Sequence, residues 1–263
     1  DIEIVHGDTD EVPQGGITGG SRSVQLAGAA IWEASAALVE QAKKVAAELL
    51  EASEADLSLN TENGQFHVMG TPSISVSWAD VADHLEERDD GPRLLHAEEI
   101  FESEGPTFPF GTHVAVVEVD SETGQVSLER LIACDDAGVI LNPLLADGQV
   151  HGGLAQGAAQ ALLEEFRYDE DGNPLTGNLA DYSVISASEL PMFERVVLET
   201  PTHINPLGAK GIGESGTVGA TPAIHNAVID ALSHLGVRHL DMPVTSEKVW
   251  RSIQATRESS PVS

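Results

Sequence analysis

Pro206-Leu-Gly-Ala-Lys-Gly-Ile-Gly-Glu-Ser-Gly-Thr-Val-Gly-Ala-Thr-Pro222 carries five glycines, at 208, 211, 213, 216 and 219, around a single carboxylate, Glu214. It runs into Ala223-Ile-His-Asn-Ala-Val-Ile-Asp-Ala-Leu232. The apolar residues there have helical spacing, and Pro222 suits the first turn of that helix. A glycine-rich loop thus feeds a helix N-terminus. Such a junction offers unpaired backbone N–H groups and a partial positive charge, which suits phosphate or another anionic ligand. Glu214 has two readings at this point: a helix cap, or an acid/base group beside a bound ligand.

Gly211-Ile-Gly-Glu-Ser-Gly216 spells G-x-G-x-x-G. The dinucleotide fingerprint, however, needs an apolar strand immediately before it. Here Thr202-His-Ile-Asn-Pro-Leu-Gly-Ala-Lys210 precedes, and it reads as a loop. A phosphate-binding P-loop is excluded too, because Gly211 rather than Ser or Thr follows Lys210.

Outward from this stretch, helices and strands alternate without a strict βαβ rhythm, so the fold class is α+β. Ile2–Val5 alternates as a short strand before Gly7-Asp-Thr-Asp10. Glycines 15, 16, 19 and 20 mark a loop that allows close backbone approach to a ligand, and Arg22 between Ser21 and Ser23 suits an anion or a polar ring. Ile31, Ala34, Leu38, Ala42, Val45 and Leu49 fall on one face of a helix over about 24–52. A hairpin around Glu62-Asn-Gly64, a strand at Ser73–Trp78 and a short helix at Trp78–Leu85 follow. The acidic, irregular stretch 86–106 reads as a linker, dividing the chain into α+β parts at 1–105 and 106–263.

The second part opens with a long antiparallel hairpin, Thr112–Val119 and Gln125–Cys134, around Asp120-Ser-Glu-Thr-Gly124. Leu144–Phe166 is helical and rich in small residues. A glycine inside a helix costs about 1 kcal/mol relative to alanine. Gly152, Gly153 and Gly157 therefore imply close approach of another backbone or a flat ligand. Gln149 and Gln156 lie two turns apart on one face, where their amides could bind a polar ring. A strand at Phe193–Glu199 and a final helix near Ser246–Ile253 complete the reading, with the last ten residues frayed.

Acids outnumber bases by 43 to 13, a formal charge of −30, while 41% of residues are hydrophobic. Clear periodicity with that charge indicates a folded acidic surface of the kind kept soluble in concentrated salt, and it disfavours nucleic acid as a partner. The single cysteine, Cys134, excludes an internal disulfide and a thiolate zinc cluster. No apolar run is long enough to span a membrane. The expected location is the cytoplasm of a high-salt organism. The first residue is Asp1 rather than Met, so a fragment or processed piece is expected.

Four ordered blocks together resemble the molybdenum-cofactor subunit of the xanthine dehydrogenase, aldehyde oxidase and carbon monoxide dehydrogenase family, specifically its C-terminal portion. Gly7-Asp-Thr-Asp10 with Gly20-Ser-Arg-Ser23 resembles that family's GDT…GSRS stretch. Asp136-Ala-Gly-Val-Ile-Leu-Asn-Pro143 resembles its D-x-G-x-x-x-N-P turn. Gln149-Val-His-Gly-Gly-Leu-Ala-Gln-Gly157 resembles its QxxGGxxQG helix, and Gly208-Ala-Lys-Gly-Ile-Gly-Glu-Ser-Gly216 its GAKGxGE loop.

The resemblance implies a molybdenum hydroxylase that oxidises an aldehyde, an N-heterocycle or purine, or carbon monoxide, with water as the oxygen source. Glu214 is similar to the family's general base. It would take the proton from the metal's hydroxyl or water ligand as that oxygen attacks carbon. Protein side chains do not themselves ligate the metal in this family. The implied cofactor contacts come from Gly20, Ser21, Arg22, Ser23, Asp136, Asn142, Gln149, Gln156, Lys210, Gly211 and Gly213. The cofactor is molybdopterin, in prokaryotic members commonly the cytosine dinucleotide form. FAD and iron–sulfur clusters reside on partner subunits, in an assembly expected to be a dimer of heterotrimers. The family's N-terminal half, with further cofactor loops, lies outside this sequence, and Ala137 stands where many members have Cys. A non-catalytic lobe that binds cofactor or partner subunits, inactive by itself, is the alternative left open.

Overall fold

Small residues decide how the second half of the chain packs. Helix α3 (Pro143–Leu162) and helix α4 (Ser215–Leu232) meet backbone to backbone. A Cβ on Gly153 would lie 2.9 Å from Gly216 Cα, and one on Gly216 would lie 2.8 Å from Val150 O. A Cβ on Gly157 would lie 2.7 Å from Ala220 Cβ. Gly153 and Gly157 on one helix thus face Gly216 and Ala220 on the other, each pair one turn apart. Larger side chains at these positions would separate the helices.

The computed structural model describes residues 3–12 and 15–259. It divides into two compact units, residues 25–104 with 205–207, and residues 1–24, 105–204 and 208–263. In the smaller unit, helix α1 (Ala29–Leu49) packs Ala42, Val45 and Ala46 against Leu57, Phe66, Val81 and Leu85. Strands β1 (Leu57–Asn60), β2 (Gln65–Val68) and β3 (Thr71–Ser77) form an antiparallel meander, followed by helix α2 (Trp78–Glu86). Ser77 and Asp80 form a reciprocal capping box that starts α2.

In the larger unit, β4 (Phe110–Val119) and β5 (Val126–Asp136) pair antiparallel from Phe110 opposite Asp136 to Val119 opposite Val126, with an irregularity at Val116/Val117. Asp120 closes the turn by accepting from the backbone of Glu122 and Thr123. Strand β6 (Glu194–Leu198) then adds parallel to β5. Leu128, Leu131 and Ala133 on the inner face pack against Val150, Leu154 and Ala158 of α3 and Ala220 and Ile224 of α4. The register places Val114, Val116, Val196 and Leu198 on the opposite face, each 42–50% exposed. Helix α5 (Ser246–Ser259) packs Val249 and Ile253 against Val228 and Leu232. No helix among the described residues is long and apolar enough to cross a membrane.

The α+β reading holds, with three corrections. Helix α4 starts at Ser215, and Pro222 lies inside it rather than in its first turn. Gly216 and Gly219, which read as loop, are helical because their missing side chains are what the neighbouring elements require. Pro222 is tolerated there because it and Val218, whose carbonyl it leaves without an intrahelical partner, both lie on the exposed side. Glu3–Val5 form no strand; Ile2 lies outside the described residues. Helix α5 continues through Ser259 where fraying was expected, and residues 260–263 lie outside the described residues.

The glycines of α3 separate into two classes. A Cβ on Gly153 meets α4 backbone, whereas one on Gly152 meets nothing within 4 Å. Gly153→Ala should therefore lower stability by about 1–3 kcal/mol through overpacking. Gly152→Ala should be neutral or raise stability by up to about 1 kcal/mol. Chemical denaturation of the two variants checks this; equal effects would contradict the α3–α4 contact.

Candidate functional site

Glu214 sits at the N-cap position of α4, with φ −110° and ψ −12°, yet its side chain makes no capping bond. Its Oε2 instead accepts a hydrogen bond of 2.7 Å from Ser21 Oγ. Of the two readings open in the sequence, the structure does not bear out the helix cap.

Ser21 has φ +54°, in the left-handed region that non-glycine residues seldom adopt, and Gly20 before it has φ +67°. Strain of this kind persists where surrounding structure fixes it, and it clusters at functional sites. Gly211 is the fixing neighbour. A Cβ there would lie 2.8 Å from both Cβ and O of Ser21. A Cβ on Gly213 would lie 3.3 Å from both Ser21 Oγ and Gln149 Oε1. Glycine spacing in the loop thus brings Ser21, Gln149 and Glu214 together from three separate segments. Arg22 and Ser23 follow on the exposed side of the same loop, where Ser23 Oγ donates to Thr18 Oγ1 at 3.2 Å.

Gln149, Gly152 and Gln156 lie on one exposed face of α3, as their spacing of three and four dictates. A Cβ on Gly148 or Gly152 would meet nothing within 4 Å. Packing within this chain therefore accounts for Gly153 and Gly157 but not for Gly148 or Gly152. The face combines amide side chains with bare backbone, which fits a flat, hydrogen-bonding group lying against the helix.

The molybdopterin cofactor-binding domain family matches residues 1–191, well over half of the sequence. The chain belongs to that family. It is 40% identical over 258 residues to the carbon monoxide dehydrogenase large chain of Hydrogenophaga pseudoflava, covering 96% of this chain and 32% of that one. It is 37% identical to the 6-hydroxypseudooxynicotine dehydrogenase complex subunit gamma of Paenarthrobacter nicotinovorans, covering 98% of this chain and 33% of that subunit. The reconstituted CO dehydrogenase from Oligotropha carboxidovorans superposes with a TM-score of 0.87 at 35% identity, over 97% of this chain and 32% of that chain. The chain thus spans about a third of the length of these relatives.

Within this molybdopterin cofactor-binding domain, three of the residues singled out in the sequence make framework contacts. Asn142 caps α3, its Oδ1 accepting from Leu145 N at 3.1 Å. Asp136 and Lys210 form a buried ion pair, Nζ to Oδ1 3.1 Å, with side chains 5% and 7% exposed. Burial alone would raise the Asp136 pKa. Hydrogen bonds from the Thr200 side chain, the Gly138 and Thr200 backbone N–H groups and Lys210 outweigh it and hold the carboxyl at about 2. Sequence reasoning passed over a second buried pair, His113 with Asp135, at 3.1 Å. Its signal was a histidine at a core-facing position of an alternating strand, opposite Ala133 and so diagonal to an aspartate of the neighbouring strand.

A carboxyl with a lowered folded-state pKa contributes stability that is complete above its ordinary value of 3.8 and is lost as pH falls toward 2. That contribution is roughly 2 kcal/mol for a shift of this size. Asp136→Asn should therefore destabilise the domain by at least about 2 kcal/mol at pH 7. The gap between variant and wild type should narrow between about pH 4 and pH 2. Denaturant titrations at several pH values measure it, and a gap that stays constant would contradict the pair.

Proposed function

We propose that this domain is the part of a molybdenum hydroxylase that carries the general base, acting on an aldehyde, an N-heterocycle or carbon monoxide with water as the oxygen source. The observation that carries the reading is the uncapped Glu214 carboxylate held by Ser21 beside the Gln149 face of α3. When bound, the molybdenum cofactor supplies the two-electron oxidation. The chain's own residues bind, orient and move a proton. Gln149 and Gln156 offer amide donors and acceptors to the pterin, and Gly148, Gly152 and Gly213 let it approach backbone. Gly20, Arg22 and Ser23 meet the nucleotide tail, of the cytosine dinucleotide form. Ser21 holds Oε2 of Glu214, which leaves Oε1 to serve as the proton acceptor. A fixed carboxylate in a site that a bound ligand closes to water suits general-base work.

The outer sheet face, with Val114, Val116, Val196 and Leu198 about half exposed, is the kind of apolar surface that a neighbour covers. With the share of the relatives that this chain spans, it supports the N-terminal half of the large subunit as that neighbour. FAD-bearing and iron–sulfur subunits would carry electrons away, in a dimer of heterotrimers. A chain that supplies only part of the cofactor's surroundings is inactive alone, because positioning and electrostatics are most of what a protein gives a cofactor. The charge of −30 supports a cytoplasmic enzyme of a high-salt cell.

In the assembled enzyme, Glu214→Gln should lower kcat by about 10²–10⁴ while molybdenum content stays near wild type. Wild-type turnover by a metal-loaded Gln variant would rule out the base. For the salt adaptation, the melting temperature should rise steadily from dilute buffer to molar KCl as the acidic surface is screened. A flat or falling curve would count against it.

A further inference from the structure

Strand β5 ends in two consecutive aspartates whose side chains leave on opposite faces of the sheet, as strand geometry requires. Both are buried. Each is tied to a residue on a different side of Glu214 in the chain, Lys210 directly or Gly219 through His113.

On the outer face, Asp136 holds Lys210 Nζ at 3.1 Å. Lys210 N also donates to Ala137 O at 2.7 Å, and its ammonium lies 5.1 Å from the centre of the Phe110 ring. Both backbone and side chain of residue 210, four positions before Glu214, are thereby fixed to the end of the β4–β5 hairpin. On the inner face, Asp135 Oδ1 lies 3.1 Å from His113 Nε2, with side chains 1% and 3% exposed. Gly111 leaves room for that carboxylate; a Cβ there would sit 2.6 Å from Oδ1. The His113 ring in turn presses on Gly219, where an added Cβ would overlap it. Gly219 stands five positions after Glu214, on the second turn of α4.

We propose that Asp135 and Asp136 are positioning residues for Glu214, acting through His113 on α4 and through Lys210 on the loop. The proposal rests on the reading of Glu214 as the base and adds what fixes its place. Stability alone does not account for the inner pair. His113 Nδ1 and Asp135 Oδ2 are buried with no hydrogen-bond partner in this structure. Orphaned buried polar atoms are destabilising, and an apolar pair of similar volume would commonly be as stable or more so. What the polar pair supplies is direction: one ring orientation against Gly219, set by one carboxylate. The outer pair does the same for the loop. Between the two anchors the chain has only residues 211–218 in which to place the carboxylate, and Ser21 sets its final rotamer.

The test uses the assembled, cofactor-loaded enzyme carrying His113→Phe, Asp135→Asn, Lys210→Met or Lys210→Arg, each alone and combined with Glu214→Gln. Turnover, molybdenum content and hydrogen exchange of the amides of residues 211–219 are measured. Misplacing a catalytic group by about 1 Å can cost on the order of 100-fold in rate. The His113→Phe, Asp135→Asn and Lys210→Met variants should therefore lose about 10- to 100-fold in kcat, with KM within about twofold and molybdenum unchanged. Exchange over 211–219 should quicken at least about tenfold, with local opening rather than global unfolding as the cause. Lys210→Arg should recover part of the loss. In the Glu214→Gln background the same substitutions should cost nothing further, because residues acting through one group are not additive with its removal. Wild-type kcat with unchanged exchange, or losses that multiply fully with Glu214→Gln, would overturn the proposal. Should Glu214→Gln itself prove fully active, the base reading fails, and the exchange data decide the anchoring on their own. Should His113→Phe or Asp135→Asn fail to assemble, the other decides the inner side; should Lys210→Met fail, Lys210→Arg decides the outer side.

Discussion

The backbone contact between α3 and α4 is the constraint on which the other distances depend. Gly153 and Gly157 against Gly216 and Ala220 bring the two helix axes closer than ordinary side chains allow. That approach carries Gln149, one turn before Gly153, to the side of Gly213 and Glu214 at the head of α4. It also sets the adjacent face of α4 against the sheet, where Gly219 accepts the His113 ring. Four small residues thus couple a packing requirement to the placement of a carboxylate and an amide. Each helical glycine costs roughly 1 kcal/mol against alanine, and the close contact offsets it.

Charge is distributed in two regimes. Most of the 43 acidic residues lie where water and salt screen them, and their individual pairs contribute little. Asp135 and Asp136 are different: both are buried at a strand end, each with a cationic or ionisable partner. Inside the protein such pairs are sensitive to geometry, so they fix segments more than they add net stability. The loop carrying Glu214 connects one of these anchored points to the other.

Much of this was legible in the sequence because the local signals agree with the tertiary structure. Alternation fixed the β4–β5 hairpin, and Asp120 to Gly124 marked its turn. The amphipathic stripe through Ala42 and Val45 marked α1. Glycine spacing around Glu214 pointed to a constrained loop, and the structure brings Ser21 and Gln149 to it. What stayed hidden was set by contacts distant in sequence. Gly216 and Gly219 look like loop residues until α3 and His113 are known to press on them. Pro222 looks like a helix start until its exposed position is known. The parallel pairing of β6 with β5 depends on a long connection that leaves no periodic trace. The His113–Asp135 pair is invisible until the register sets Gly111 opposite Asp135.

The most direct test of the account is a crystal structure of the assembled enzyme with its molybdenum cofactor in place. The account predicts pterin density along the Gln149–Gly152–Gln156 face of α3 and the metal centre on the Oε1 side of Glu214, with Ser21 still holding Oε2. A cofactor bound elsewhere, with that face of α3 covered by protein and Glu214 turned away from the metal, would contradict it.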